Sequence, residues 1–290
     1  MTLVSGLSLL NHAHKHQYAI GAFSVDHIDS IDAVIRTAEE LDSPVIIQTG
    51  QATLKHTPMN VLAAAAIEKA THAKIPVILH LDHGNGFSQA IQAIRYGYTS
   101  LMFDGSQLPI EDNIYITKQI KEAANAIGIP LEAELGRVGT RGKDEIRQLT
   151  DPDEAVQFVR ETSVDSLAIA LGNIHAAYGE SVPIDLGHLK KVHDLVGVPI
   201  VLHGGTGIPA NDVKTAISYG VSKVNIATEW RRATIDYLRE NLSNADNNDF
   251  FALIEGVRQT ISDIVREKIQ LLGSAGRAWE GNENDRVYVL

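Results

Sequence analysis

The chain contains no cysteine among its 290 residues. That removes disulfides, thiolate nucleophiles and cysteine-based zinc sites together, and it fits a reducing cytoplasm. Basic charge is also scarce: 25 Lys and Arg against 36 Asp and Glu leave a net charge of −11. No basic run is available to displace counterions from a nucleic acid, which argues against that partner. A phosphate would have to be held locally, by backbone N–H groups and a few placed cations. Long apolar runs are missing too. The longest, Val61 to Ile67, is far short of a membrane span. The opening residues, MTLVSGLSLLNHAHK, lack preceding positive charge and a small-residue cleavage site. They read as the first turns of a helix and not as a secretion signal. With 44% hydrophobic and 21% charged residues, the composition is that of an ordinary globular protein, expected in the cytoplasm.

What is present is a rhythm. Short, nearly continuous apolar runs recur at 18–25, 44–49, 76–82, 100–105, 130–136, 166–171, 199–204 and 223–228. Parallel strands covered on both faces have this character. Helical periodicity fills the intervals. Ile28–Leu41 follows Asp26, a candidate cap, with Ile31, Val34, Ile35 and Ala38 on one face. Asp151-Pro152 is a cap followed by Pro at the first helical position. Phe250–Leu272 reads as a long amphipathic helix with nothing strand-like after it. The pattern predicts a (β/α)8 TIM barrel with an extra C-terminal helix, read as one domain over residues 1–290. A doubly wound open sheet shares the alternation, and spacing alone does not separate the two.

In a barrel, the C-terminal strand ends carry the site. Nearly every predicted strand ends there in a residue with chemistry: Gln48, His80, Asp82, His83, Asp104, Ser106, Glu132, Glu134, His175, His203, Asn225 and Thr228. Ionisable groups are costly at buried strand ends unless a ligand or partner satisfies them. His83, His175 and His203 can converge on one ion with a fourth position open, the arrangement of catalytic zinc. Among twelve His, any single one reads more readily as a hydrogen-bonded structural residue, but three at strand mouths beside Asp82 reverse that reading. His80 points elsewhere by alternation, and His56, His188 and His193 are expected to face solvent. Gly204, Gly205, Thr206 and Gly207 follow strand seven, and Asn225, Ile226, Ala227 and Thr228 follow strand eight, where barrels bind phosphate. Pro209 and Asn211 open a helix whose N-terminus adds positive dipole. HGGTG could also be an esterase oxyanion loop, but no G-x-S-x-G elbow accompanies it. Gly136, Gly139 and Gly142 suggest a flexible loop. Asp104, Glu132 and Glu134 read as carboxylates that orient ligands or hold a second cation, or as salt-bridge partners of Arg137.

Taken together, HLDHG (80–84), LMFDGS (101–106), EAELGR (132–137), the segment ending in His175, VLHGGTGIP (201–209) and KVNIATE (223–229) resemble the class II ketose-bisphosphate aldolases. The resemblance runs in order from about residue 18 to 230. Ala227, where fructose-bisphosphate enzymes typically have Asp, makes it more similar to the tagatose-bisphosphate branch. It implies zinc on His83, His175 and His203, with Asp82 the acid/base at the C4 hydroxyl. It further implies that Gly204 to Thr206 and Asn225 to Thr228 hold the dihydroxyacetone phosphate half, with Gln48 and Ser106 also in the substrate site and Asn225 assisting catalysis. Asp104 and Glu134 would line a second site, for a monovalent cation such as Na+ or K+. The implied reaction is reversible cleavage of a ketose 1,6-bisphosphate, tagatose- or fructose-type, through a zinc-stabilised enediolate. The implied partners are a phosphorylated sugar and further copies of the chain, as a homodimer or homotetramer.

Three departures stand out. Ala176 follows His175 where the family usually has Gly, Ser24 stands for the usual Asn, and the loop GRVGTRGKDEIRQL lacks the Gly-Gly-Glu-Asp pattern. Glu145, or Asp144, is then the nearest candidate to move the C3 proton. Rival readings are an aldolase for a deoxy or sulfo sugar, a barrel metal-dependent hydrolase, and a non-catalytic sugar-phosphate sensor. Hydrolase barrels typically take ligands from strand one, which here offers only Phe23, Ser24 and Asp26. No Lys lies at a strand mouth in an apolar setting, and Lys223 begins strand eight at the far end, which disfavours a Schiff base.

Overall fold

All eight apolar runs form strands, and pairing of the first with the last decides between the two topologies. The computed structural model describes residues 2–140, 142, 144–175, 178–242 and 249–279, with backbone alone at 140 and 144–147. The strands are β1 (Ile20–Ser24), β2 (Val45–Thr49), β3 (Val77–Gly84), β4 (Ser100–Phe103) and β5 (Leu131–Leu135), followed by β6 (Val138–Thr140) and β7 (Asp144–Arg147). The last three are β8 (Ser166–Ile169), β9 (Ile200–Leu202) and β10 (Val221–Ile226). β1 lies parallel to both β2 and β10, with Ala22 beside Ile46 on one side and Asn225 on the other. The sheet therefore closes in the order β1-β10-β9-β8-β5-β4-β3-β2, and the open-sheet alternative is excluded.

Strand alternation divides the side chains into two sets. One set, including Ile47, Leu79, Leu101, Leu131, Leu167 and Leu202, packs outward under the helices in the main core. The other fills the lumen in layers. At its N-terminal end Ile20, Ala22, Ile46 and Ile78 form an apolar floor with Leu9, Leu10 and Ala13. Those three belong to the helix Leu7–His16, so the opening residues plug the barrel from below. Gly6, at φ 79, lets that helix approach; a Cβ there would lie 2.4 Å from Ile78 Cδ1. Above this floor the lumen turns polar.

Two local expectations change. Asp26 does not cap the helix Ile28–Glu40; His27 does, in a reciprocal pair with Ser30. Asp26 is instead taken by Arg231. The glycine-bearing segment after β5 is no irregular loop: β6 and β7 pair as an antiparallel hairpin, with Gly136 and Gly142 in left-handed conformations at its entrance and turn. Asp151 caps Pro152–Thr162 as expected, accepting from the N–H groups of Asp153 and Glu154. The helix Phe250–Leu272 buries Val257, Ile261, Val265 and Ile269 against its own barrel, chiefly the helix Ile28–Glu40, and leaves Phe250 and Phe251 exposed. Among the described residues, no helix is long and apolar enough to cross a membrane.

Candidate active site

Asp82 and His83 are adjacent, so regular alternation would send their side chains to opposite faces of β3. A register shift against β4 between Leu81 and Gly84 prevents that. His83 sits at φ 49, a strained conformation for a non-glycine residue, and the kink turns its ring to the barrel mouth beside Asp82. Gly84 makes the kink possible, because a Cβ there would lie 2.4 Å from the Met102 carbonyl oxygen.

Three imidazoles meet at this mouth. The His83 ring centroid lies 4.7 Å from that of His203 and 5.5 Å from that of His175. Each of two rings is oriented by a carboxylate on its far nitrogen. His83 Nδ1 donates to Asp104 Oδ2 at 2.8 Å, and His203 Nε2 donates to Glu132 Oε1 at 2.9 Å. The remaining nitrogens, His83 Nε2 and His203 Nδ1, then face each other at 3.1 Å. Tetrahedral zinc with nitrogen ligands at about 2.0–2.1 Å requires nitrogens roughly 3.3 Å apart, so the pair fits such an ion. His175 completes the set, all three offering a ligand atom within 4.8 Å of the others. Its backbone N–H donates to the Gly139 carbonyl, so the hairpin steadies it. Carboxylate-backed imidazoles with lone pairs converging on one point are the donor set of a catalytic zinc site.

Without a metal His83 is a cation, so an ion bound here would have to displace a proton from its Nε2. Burial alone would depress His83, but the carboxylates of Asp82, Asp104 and Glu134 outweigh it and push the ring up to about 10 without a metal. Burial and the neighbouring imidazoles push His175 down to about 3. Burial, reinforced by Asp104, drives Glu134 well above the usual carboxylate range. Its Oε2 is buried without a hydrogen-bond partner among the described residues, 3.6 Å from both His83 Nδ1 and His203 Nδ1. His83, Asp104 and Glu134 form a second group able to hold a cation, although Asp104 is already occupied by His83 and by the backbone N–H and hydroxyl of Ser106.

Asp82 lies beside the imidazoles, 7% exposed, accepting from Asn225 Nδ2 at 3.0 Å and Gln48 Nε2 at 3.4 Å. Burial opposes its ionisation, yet the nearby His83, His203 and Lys223 hold its carboxyl below the usual range. A cavity of about 480 Å³ opens above these groups. It is lined by Gly204, Thr206, Asn225, Ala227 and Thr228, and also by Gln51, Thr53, Arg137 and Arg231. The helix Thr228–Leu242 begins at this wall, and its first N–H groups have no intrahelical acceptor, which suits a phosphate. Gly204, at φ 60, lets the turn pass within contact of Ile174 and His175.

Most of the expected residues thus gather around one cavity: Gln48, Asp82, His83, Asp104, Ser106, Glu134, His175, Gly204, Thr206, Asn225, Ala227 and Thr228. His203 lies beneath it as a buried ligand candidate. Gly205 and Ile226 stand apart: the Gly205 N–H donates to the Asn225 carbonyl, and the Ile226 side chain packs in the outer core. Ala176 and the Glu145 side chain lie outside the described residues. His188 is no solvent-facing residue, since its Nε2 bonds the Thr150 carbonyl at 2.7 Å, and His193 is half-buried beside His14. Arg231 and Thr53 are the residues that strand-end reasoning passes over. Arg231 comes from a helix interior and Thr53 from a short helix after β2, and both bind Asp26.

The architecture is a closed barrel with a candidate metal site at its mouth, and comparison with known proteins supplies the family. The family model for class II fructose-bisphosphate aldolase matches residues 4–277. The chain belongs to this class II aldolase family, lyases that depend on a metal. It is 37% identical to a fructose-bisphosphate aldolase of Geobacillus stearothermophilus, covering 96% of this chain and 99% of the relative. It is 33% identical to a sulfofructosephosphate aldolase of Alkalicoccus urumqiensis, with 96% and 99% covered. The crystal structure of the YdjI aldolase from Escherichia coli K12 superimposes with a TM-score of 0.86 at 38% identity, over 95% of this chain and 99% of that one.

Proposed function

We propose that the protein reversibly cleaves a ketose 1,6-bisphosphate, of the tagatose or fructose type, into dihydroxyacetone phosphate and an aldehyde phosphate. The observation that carries this reading is the convergence of His83 Nε2 and His203 Nδ1 at 3.1 Å beside Asp82, whose Oδ1 lies 4.0 Å from His83 Nε2 and accepts from Asn225. A zinc ion held by His83, His175 and His203 would supply a Lewis acid for the oxygen charge that develops as the C3–C4 bond breaks. Asp82, an ionised carboxylate steadied by two amides, takes the proton of the C4 hydroxyl; C4 becomes the aldehyde carbon and the bonding pair stays on C3. Asn225 keeps Asp82 in that orientation. Gly204, Thr206, Ala227 and Thr228 hold the phosphate attached to C1, using backbone N–H groups and the helix N-terminus. A proton then returns to C3, for which Glu145 on the hairpin is the candidate donor. Arg231 and Arg137 face the aldehyde half, where a second anion would lie.

A sulfonated aldehyde half is the second reading, favoured by the sulfofructosephosphate aldolase relative, because an arginine wall accepts sulfonate as readily as phosphate. The test is an assay panel of fructose and tagatose bisphosphates and a sulfofructose phosphate. Turnover of a bisphosphate that disappears on chelation and returns with zinc is expected. Inactivity on both bisphosphates, or cleavage that survives chelation, would overturn the proposal.

A further inference from the structure

Below the metal site, the lumen holds one buried layer that the proposed chemistry does not use. Lys223 occupies it, 1% exposed. Its backbone lies near the barrel floor beside Ile20, but the side chain climbs one layer towards the mouth. Nζ donates to Glu132 Oε2 at 2.6 Å and to His80 Nε2 at 3.0 Å. His80 Nδ1 meets Ser100 Oγ at 2.8 Å. Among the described residues, Lys223 is the only Lys or Arg paired with Glu132.

An ammonium group has donors and no acceptor, so His80 must offer a lone pair at Nε2 and carry its proton on Nδ1, aimed at Ser100. The same ammonium occupies Glu132 Oε2 and leaves Oε1 for His203. A carboxylate only accepts, so His203 must carry its proton on Nε2. Its lone pair is then on Nδ1, the atom facing His83 Nε2. Lys223 thus fixes His80, and through it Ser100, on one side and Glu132 on the other, and Glu132 in turn fixes His203.

We infer that Lys223, seated on His80, is a positioning residue that sets the orientation of Glu132 and thereby the nitrogen His203 presents to the metal. The inference rests on the three-histidine site proposed above. With Lys223 gone, Glu132 Oε2 faces a buried lumen without a cation, the carboxylate is free to turn, and His203 Nε2 loses its acceptor, leaving there only the Asn225 amide nitrogen at 3.3 Å, a donor that favours the opposite tautomer. Partners of metal-bound imidazoles typically contribute about 10- to 100-fold to metal affinity. Lys223 is absent from the cavity wall, so its effect should reach substrate only through the metal site.

The experiment is metal binding by the full-length apoprotein, measured for zinc by chelator competition and for cobalt by its visible absorption. Lys223→Met should bind zinc about 10- to 100-fold more weakly than the parent and show an altered cobalt spectrum. Combining it with Glu132→Gln should recover much of that affinity, because a neutral amide oxygen still accepts from His203 and needs no cation beside it. A merely structural lysine would give additive losses instead. Ser100→Ala leaves every charge in place and decides the matter if Lys223→Met does not fold; a loss of roughly two- to tenfold, the worth of one hydrogen bond, is expected. Parent-like affinity and spectrum in the folded variants would overturn the inference. A parent apoprotein that binds neither metal would instead overturn the metal site itself.

Discussion

The two sides of the barrel mouth are built differently. The side formed by β3, β5, β9 and β10 is buried and closely bonded: Asp82, Glu132, Glu134, His203 and Asn225 are each less than a tenth exposed. The side formed by the ends of β1 and β2 with Arg231 is open. There the central contact is a bidentate pair, Arg231 Nε and Nη2 on Asp26 at 2.6 and 2.7 Å, with both side chains about a third exposed. Buried, interlocked polar groups hold one geometry, because any displaced member leaves a desolvated partner behind. A half-exposed pair can exchange its partner for water. On the proposed reading, the first side determines which bond breaks and the second which aldehyde is accepted.

The sharpest way to break this contrast is to remove a ligand from the buried side. His203→Ala should lose the metal and, with it, measurable turnover; a zinc content equal to the parent's would sink the assignment. Asp82→Ala comes next. It should retain zinc, because the three imidazoles are untouched, and lose about 10²- to 10⁴-fold in kcat, the usual worth of a positioned general base. Near-normal kcat would move the proton-transfer role elsewhere.

The contrast also explains what was legible in the sequence. Strands covered on both faces leave continuous apolar runs, and a barrel places its chemistry at their C-terminal ends, so His83, Asp82, His203 and Asn225 stood out without coordinates. The adjacency of Asp82 and His83 was readable, but not the register shift that makes it usable, since a kink at Gly84 is indistinguishable in sequence from an ordinary strand end. Lys223 was opaque for a different reason. At the start of a strand it reads as remote from the mouth, and only the length of its side chain carries the ammonium into the layer of Glu132. On the open side, Asp26 resembled a helix cap, because Asp just before a helical pattern usually is one. Its partner lies 205 residues away, a pairing that no local pattern carries.

Arg231→Met probes the open side. If Arg231 meets the distal anion, KM for the ketose should rise about 10- to 100-fold, the range for losing a hydrogen bond to a charged group. Exchange of the C3 proton of dihydroxyacetone phosphate alone should be unchanged, because on the proposed reading that half of the reaction does not meet Arg231. Equal losses in both assays would mean that the two sides are not separable.

The smallest effect belongs to the Asp26–Arg231 pair as a source of stability. Burial works against ionised Asp26, but the Arg231 guanidinium and the Thr53 hydroxyl outweigh it and hold the carboxyl below its ordinary 3.8. A depressed folded-state value means that the stabilisation is present above about pH 4 and fades as pH falls through the folded-state value. Asp26→Asn should therefore cost about 1 kcal/mol in urea unfolding at pH 7, since a partly exposed pair is screened by water. The difference from the parent should shrink towards zero in strong acid. The chemical side should not respond to this change, so zinc affinity at pH 7 should match the parent's. A gap that persists or widens in acid would show that Asp26 contributes by packing and not by charge, and the open side would then be as rigid as the buried one.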